Sequence, residues 1–478
     1  MNDLLIGVDI GTTNLKVGVF TVGGECRALA ERPCPLDHRD GGRIEVDPEV
    51  WWKMFEEGLG ECLVNVDPSE IRAIGVSSQA QTHVLLDADG NPLGPAISWL
   101  DATGDGEGFG REVGSGFYEH TGWPESGPML AAGKFRQYSR NNPNAWDGVA
   151  HMVFADGYLI HRLTGRCAVS RNLAAMSGLY SLPGCDWWPS ALKTAGIPRN
   201  VLPYLCETGE SAGTLLPDVQ VSLRLGPVPV VAGANDQTAA AIGAGICDPG
   251  QTVLNFGTAM VVYQVVRPGD SVPACLPLRG PYVGGRRYQL VLSIAPGGYI
   301  GRVRNLTGNR PWPEFYRRVL SVEPGAGGLR FVPEDTGRGG VEGTMAGIGL
   351  NHVPDQMARA VLEGAACAAR ARLDQLGAGE TVRLTGGGSS NDAWVQTMAD
   401  IIERRLERLD QPQTGLFGTA LAAGQGAGIV PDLLAAARDA ARGIRVFNPS
   451  GKHTAVYRRV YRDFQALYSR NHEQKREM

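Results

Sequence analysis

The chain has 478 residues, 43% of them apolar and 20% charged, with a net charge of -5. That length exceeds what one ordinary core serves, so two domains are expected. The mild negative balance excludes a general binder of nucleic acid or anionic membrane. No window of about 18 uncharged apolar residues occurs, so no membrane-spanning helix is expected. MNDLLIGVDI carries no basic segment ahead of an apolar run, so no secretory leader is expected and a cytoplasmic setting is. The nine cysteines are dispersed without C-x-x-C spacing, which points to reduced thiols rather than a disulfide framework or zinc site.

In chain order, residues 4–10 and 15–22 read as a hairpin of apolar, β-branched strands around GTTN. Residues 49–63 have helical spacing behind Pro48, a helix-start signal. Strands are predicted at 71–77 and 84–87. The polar, glycine-rich stretch 104–148 suggests two weak helices, and 158–163 a firmer one. A short buried strand at 228–232 runs into GANDQTAAAIGAG, predicted as a loop that becomes a helix.

Similar parts then return. Strands at 252–256 and 260–266 flank a Gly257-Thr258 knot, echoing residues 4–20 in shape. An amphipathic helix is predicted at 354–376, a strand at 381–384 leading into GGGSSND, and a helix at 393–402. GAGICDPG, near 244–250, marks the expected domain boundary. The polar tail after 468 is expected to fray.

A tight Gly-Thr turn presents backbone N–H groups and hydroxyls in one direction, which suits a phosphate. Two facing turns could clamp a polyphosphate, and Asp9 at the end of the first strand could hold Mg2+. One such knot alone reads more simply as a hairpin turn. Two knots and a later GGG before a helix favour the phosphate reading. No G-x-x-x-x-G-K-[ST] loop occurs, so this is not a P-loop.

These motifs resemble, in order, those of the FGGY family of carbohydrate kinases. GVDIGTTNLKVGVF is similar to the first phosphate motif, GANDQTAAAIGAG to the catalytic loop, LNFGTAMVVY to the second phosphate motif and LTGGGSSNDAW to the adenosine motif. GTMAGIGLNHVPDQMARAVLE fits the C-terminal signature. The resemblance implies an α/β protein of two actin-like (ribonuclease H-like) domains, here 1–246 and 247–470, with an ATP and sugar cleft between them. It implies ATP and Mg2+ as cofactors and a small sugar or polyol as partner, and it is compatible with a homodimer.

By this resemblance Asp236 is the catalytic base, although alone it reads as a helix N-cap. Asp9, with Asp236, organises the metal. Gly11, Thr12, Thr13 and Asn14 lie at the terminal phosphates, with Gly257 and Thr258 in the second turn. Gly297 lies beside the nucleotide, Gly387 and Gly388 under ribose and α-phosphate, and Asn391 near adenine. Gln79, Gln81, Trp99, Asp101, Asn235 and Asp236 are expected around one wet acceptor pocket.

The acceptor side departs from the family's spelling. Gln79-Ala80-Gln81 stands where xylulose kinases read Gln-Met-His and glycerol kinases Gln-Arg-Glu. W-x-D-x-R is here Trp99-Leu100-Asp101-Ala102-Thr103, without the arginine. Ser170 takes an acid's place, and Gln137 stands where tryptophan is expected. His83 reads as an ordinary strand histidine before a sugar ligand. The expected activity is ATP-dependent phosphorylation of a pentulose such as xylulose. The alternatives are a kinase for another ketose or alditol, and a nucleotide-gated sugar-binding protein without catalysis.

Overall fold

The computed structural model describes residues 3–477 apart from 143, 258, 294–295, 336–340 and 442. It is mixed α/β with two large sheets of matching design. In the first, β1 (Leu4–Ile10), β2 (Asn14–Thr21) and β3 (Cys26–Pro33) form an antiparallel meander. β4 (Ile71–Ser78) and then β5 (Pro229–Asn235) join parallel beyond β1. In the second, β6 (Thr252–Phe256), β7 (Met260–Val266) and β8 (Arg287–Ser293) repeat the meander. β9 (Thr381–Thr385) and β10 (Arg405–Arg408) extend it in parallel beyond β6.

β1 is apolar on both faces because both are covered. Leu4, Ile6, Val8 and Ile10 share a core with Trp51, Phe55 and Leu59 of α1 (Pro48–Cys62). Asp47 caps α1 by accepting from the Glu49 N–H, a contact worth about 1 kcal/mol. Leu5, on the opposite face, packs with Leu416 and Leu421 of a helix from far along the chain, Thr414–Gly426.

That helix sits against backbone. A Cβ on Gly7 would stand 2.2 Å from the Leu416 carbonyl oxygen, and one on Gly75 2.4 Å from that of Thr419. A Cβ on Gly243 would meet the Thr414 oxygen at 1.9 Å. These glycines let the helix Thr414–Gly426 bed down on the sheet and on α2 (Asp236–Gly243), fixing the two elements that end in Asp9 and Asp236.

Three elements differ from expectation. GANDQ contains no loop: β5 runs to Asn235 and α2 starts at Asp236. Residues 104–148 hold three helices, Gly106–Val113, Phe117–Thr121 and α3 (Ala131–Asn141). The tail continues as helix to Glu477. All nine cysteines are free thiols. No helix among the described residues is long and apolar enough to cross a membrane.

Candidate active site

Asp9 stands near the end of β1, half-buried, with Oδ1 3.3 Å from the Ser77 hydroxyl. Its carboxyl is pushed up to about 7, first by burial and then by the charge of Asp236; Lys16 opposes the shift. Asp236 opens α2 and accepts from the Gln237 backbone N–H at 2.9 Å and from Gln237 Nε2 at 3.2 Å. Burial raises its pKa as well. Two carboxyls both raised by burial, with the charge of Asp236 adding to the shift of Asp9, make a ready seat for a divalent cation, whose charge would oppose both shifts. Among the described residues no group of three or more His, Cys, Asp or Glu could hold a metal. Mg2+ fits this set nonetheless, because it keeps waters and takes only one or two carboxylates beside substrate phosphates.

The GTTN turn closes through Gly11 N–H to the Asn14 carbonyl at 3.0 Å. Thr12 joins three expected residues: its hydroxyl donates to Gln79 Oε1 at 2.6 Å and accepts from Trp99 Nε1 at 2.8 Å. Gln79 Nε2 is buried without a partner among the described residues. Such an orphan donor costs about 1–3 kcal/mol unless a ligand oxygen meets it. Thr13 is exposed. Asn14 donates to Glu31 of β3 at 2.7 Å.

Three residues expected around the acceptor are committed elsewhere. Asp101 is fully buried. One oxygen accepts from Thr103 N–H and hydroxyl at 2.9 and 2.6 Å, the other from Ile44 N–H at 3.0 Å. Asn235, not Asp236, caps α2, accepting from Thr238 N–H at 3.0 Å, while its amide donates to Asn172 at 2.8 Å. Gln81 is buried at φ 69, with Oε1 accepting from Ala131 N–H at the start of α3. A single wet pocket gathering all these side chains is therefore not what the chain builds. His83 is buried and neutral, pushed down to about 3 chiefly by burial, and bonds the Gln81 carbonyl at 3.0 Å.

On the other side, Phe256, Gly257, Gly297, Trp312, Gly387 and Gly388 line a cavity of about 440 Å³. Nothing lies within 4 Å of where a Gly387 Cβ would be, so a ligand can approach there. A Cβ on Gly388 would collide with Phe256 at 2.6 Å, so this glycine serves the packing of the loop. Thr258 lies outside the described residues. Asn391 caps the helix Asp392–Ile402 by accepting from Trp394 N–H at 3.0 Å. It does not line the cavity.

Family models agree with this arrangement. The N-terminal domain of the FGGY family of carbohydrate kinases matches residues 4–243, and its C-terminal domain residues 303–427. The chain belongs to the FGGY family of carbohydrate kinases. It is 27% identical over 439 residues to a xylulose kinase of Escherichia coli, covering 88% of each chain. It is 27% identical over 449 residues to a glycerol kinase of Thermococcus gammatolerans, covering 89% of each. The crystal structure of a xylulose kinase from Rhodospirillum rubrum superposes with a TM-score of 0.85, at 27% identity and 98% and 99% coverage. The protein is thus a sugar kinase of the actin-like fold.

Several residues of this FGGY kinase escape sequence reading. Trp312 and Tyr316 stack at 5.7 Å in the cavity lined by Gly257, Gly297 and Gly387, a pairing that their i, i+4 spacing could have signalled. Gln237 ties the Asp236 carboxylate to Asn255 of β6, whose amide donates at 3.3 Å. Asn172 accepts from Asn235 N–H and donates to the Pro281 carbonyl at 2.7 Å. Gln237 links Asp236, and Asn172 links the neighbouring Asn235, to the second half of the chain, and neither link has a local sequence signature.

Proposed function

We propose that this kinase transfers the γ-phosphoryl group of ATP to a hydroxyl of a ketopentose of the xylulose type. Asp236 accepts the proton of the attacking hydroxyl, and its raised pKa brings it nearer the working pH of a general base. Asp9 and Asp236 would hold Mg2+, which would supply charge neutralisation to the transferring phosphoryl group. Gln79 and Trp99 meet the acceptor, Gln79 through its unpaired Nε2. Gly11, Thr13 and Gly257 approach the phosphates with backbone and hydroxyl donors, while Gly297, Gly387 and the Trp312–Tyr316 pair carry the nucleoside. Residues 1–246 form the acceptor lobe and 247–470 the nucleotide lobe; the two sheets, drawn from either side of 247, support that division.

The observation that carries the reading is the pair Asp9 and Asp236, each raised by burial at the end of its element, with the charge of Asp236 felt at Asp9. The similarity to xylulose kinases favours a ketopentose over an alditol. Incubation with Mg·ATP and a panel of pentuloses, hexuloses and alditols, read by mass spectrometry, tests it. A pentulose phosphate should be the main product. Phosphorylation of alditols alone would overturn the acceptor, and no sugar phosphate from any member would overturn the reaction.

A further inference from the structure

The wall that carries the acceptor residues has a second face. Against it lies a cavity of about 330 Å³, whose floor is His83, Ile97, Asp101, Lys134 and Phe135. Asp9, Thr12, Gln79, Trp99 and Asp236 do not line it. Two residues that do are Thr103 and Gln137. At these positions the FGGY spelling has arginine and tryptophan, so two separate departures each remove a large side chain and converge on one space. The cavity is a cleft open to solvent: His83, Asp101, Lys134 and Phe135 are buried in it, and Arg43, Leu93, Thr103 and Asn142 are exposed at its edge.

The lining chemistry is specific. His83 Nδ1 faces the Gln81 carbonyl at 3.0 Å and so carries the proton, leaving Nε2 as an acceptor. Lys134 donates to the Ser98 carbonyl at 2.6 Å and lies beside the Asp101 charge. Arg43, at the rim, is paired with Glu45. The cations are thus matched by anions, and the cavity has no net pull on an anion. Gln137, Asn141 and Asn142 offer amides that both donate and accept, and Leu85, Ile97 and Phe135 offer apolar faces. Convergent neutral polar groups on apolar walls suit a polyhydroxylated molecule.

The cavity is also tied to the acceptor wall. His83 holds the Gln81 backbone, and Lys134 holds Ser98, the neighbour of Trp99. α3 contributes both Lys134 and the Ala131 N–H that fixes the Gln81 side chain. Gln81 sits at a positive φ that a non-glycine residue adopts only under constraint, so its placement depends on these tethers.

We propose that this cavity is a second site, for a small neutral sugar or polyol, whose occupancy adjusts the acceptor site through Gln81 and Trp99. The adjustment rests on the kinase reading; the binding does not.

Ligand-observed NMR with xylitol, D-sorbitol and D-xylose, on the full chain without nucleotide, tests the binding. At least one should bind the wild type and lose affinity tenfold or more in Gln137→Trp, which refills the space. Leu93→Trp, at an exposed rim position, gives the same readout if Gln137→Trp does not fold. Asp236→Asn should leave this binding intact. With ATP present, the bound polyol should change the acceptor KM at least twofold in the wild type and not in Gln137→Trp. Absence of binding by all three, or binding indifferent to both tryptophan variants, overturns the site. Binding without any change in KM overturns the coupling.

Discussion

The two sides of the cleft are built from different materials. The proposed nucleotide side is mostly backbone: Gly257, Gly297, Gly387 and Gly388 line its cavity, together with Phe256, Trp312 and Tyr316. The acceptor side is mostly side chains already bonded to something, as with Thr12 to Gln79 and Trp99, and Gln81 to Ala131. A backbone surface holds a constant ligand such as a nucleotide and tolerates few substitutions. A side-chain surface is re-specified by changing its residues, and there the chain departs from its family's spelling.

Breaking the acceptor side at its chemical centre should have the largest effect. Asp236→Asn is expected to lower kcat by ~100-fold or more with the ATP dissociation constant within a few-fold. Steady-state kinetics beside nucleotide titration check this. Gly388→Val, on the other side, should raise the ATP KM by roughly tenfold, because its Cβ would displace Phe256 and the loop. The acceptor KM should stay near normal; a change confined to the acceptor KM would reverse the assignment of sides. The double change Ala80→Met with Gln81→His should shift preference among ketoses and alditols by a few-fold to tenfold, with the ATP KM unchanged. An unaltered acceptor profile would show that Gln81 serves the wall alone.

A smaller effect sharpens the electrostatics. Without metal, folded Asp9 has a pKa of about 7, above the ordinary carboxylate value near 4. Between those values the folded protein holds the extra proton, so stability falls as pH rises through the window. Asp9→Asn should therefore melt higher than the wild type at pH 8, with a smaller difference at pH 4, in differential scanning calorimetry with chelator. Mg2+ should stabilise only the wild type at pH 8.

The two hairpins around GTTN and Gly257 and the strands at 71–78, 229–235 and 381–385 were legible because apolar period and glycine position dictate them locally, whereas the strands 26–33 and 405–408 and the direct passage from strand to helix at Asn235–Asp236 were not. The gap in reading the acceptor side has a physical source. Asp101 and Asn235 are polar residues of the kind that bind sugars, yet each satisfies backbone groups two or three residues on. The D-x-T and N-x-x-T spacings were visible and carry that alternative. Gln81 depends on α3, 50 residues away, and Asn172 on the end of the strand Leu278–Pro281 in the other half, so neither bond is written in local sequence. The strand at 287–293 and the aromatic stack at 312–316 were also passed over.

The most direct test of the central claim is the rate of ADP release from Mg·ATP by the wild-type protein, with and without a saturating pentulose. The account predicts slow release alone and stimulation of at least tenfold by the sugar, since the half-buried Asp236 needs an acceptor hydroxyl to serve. Nucleotide binding with a release rate that no sugar changes would contradict it.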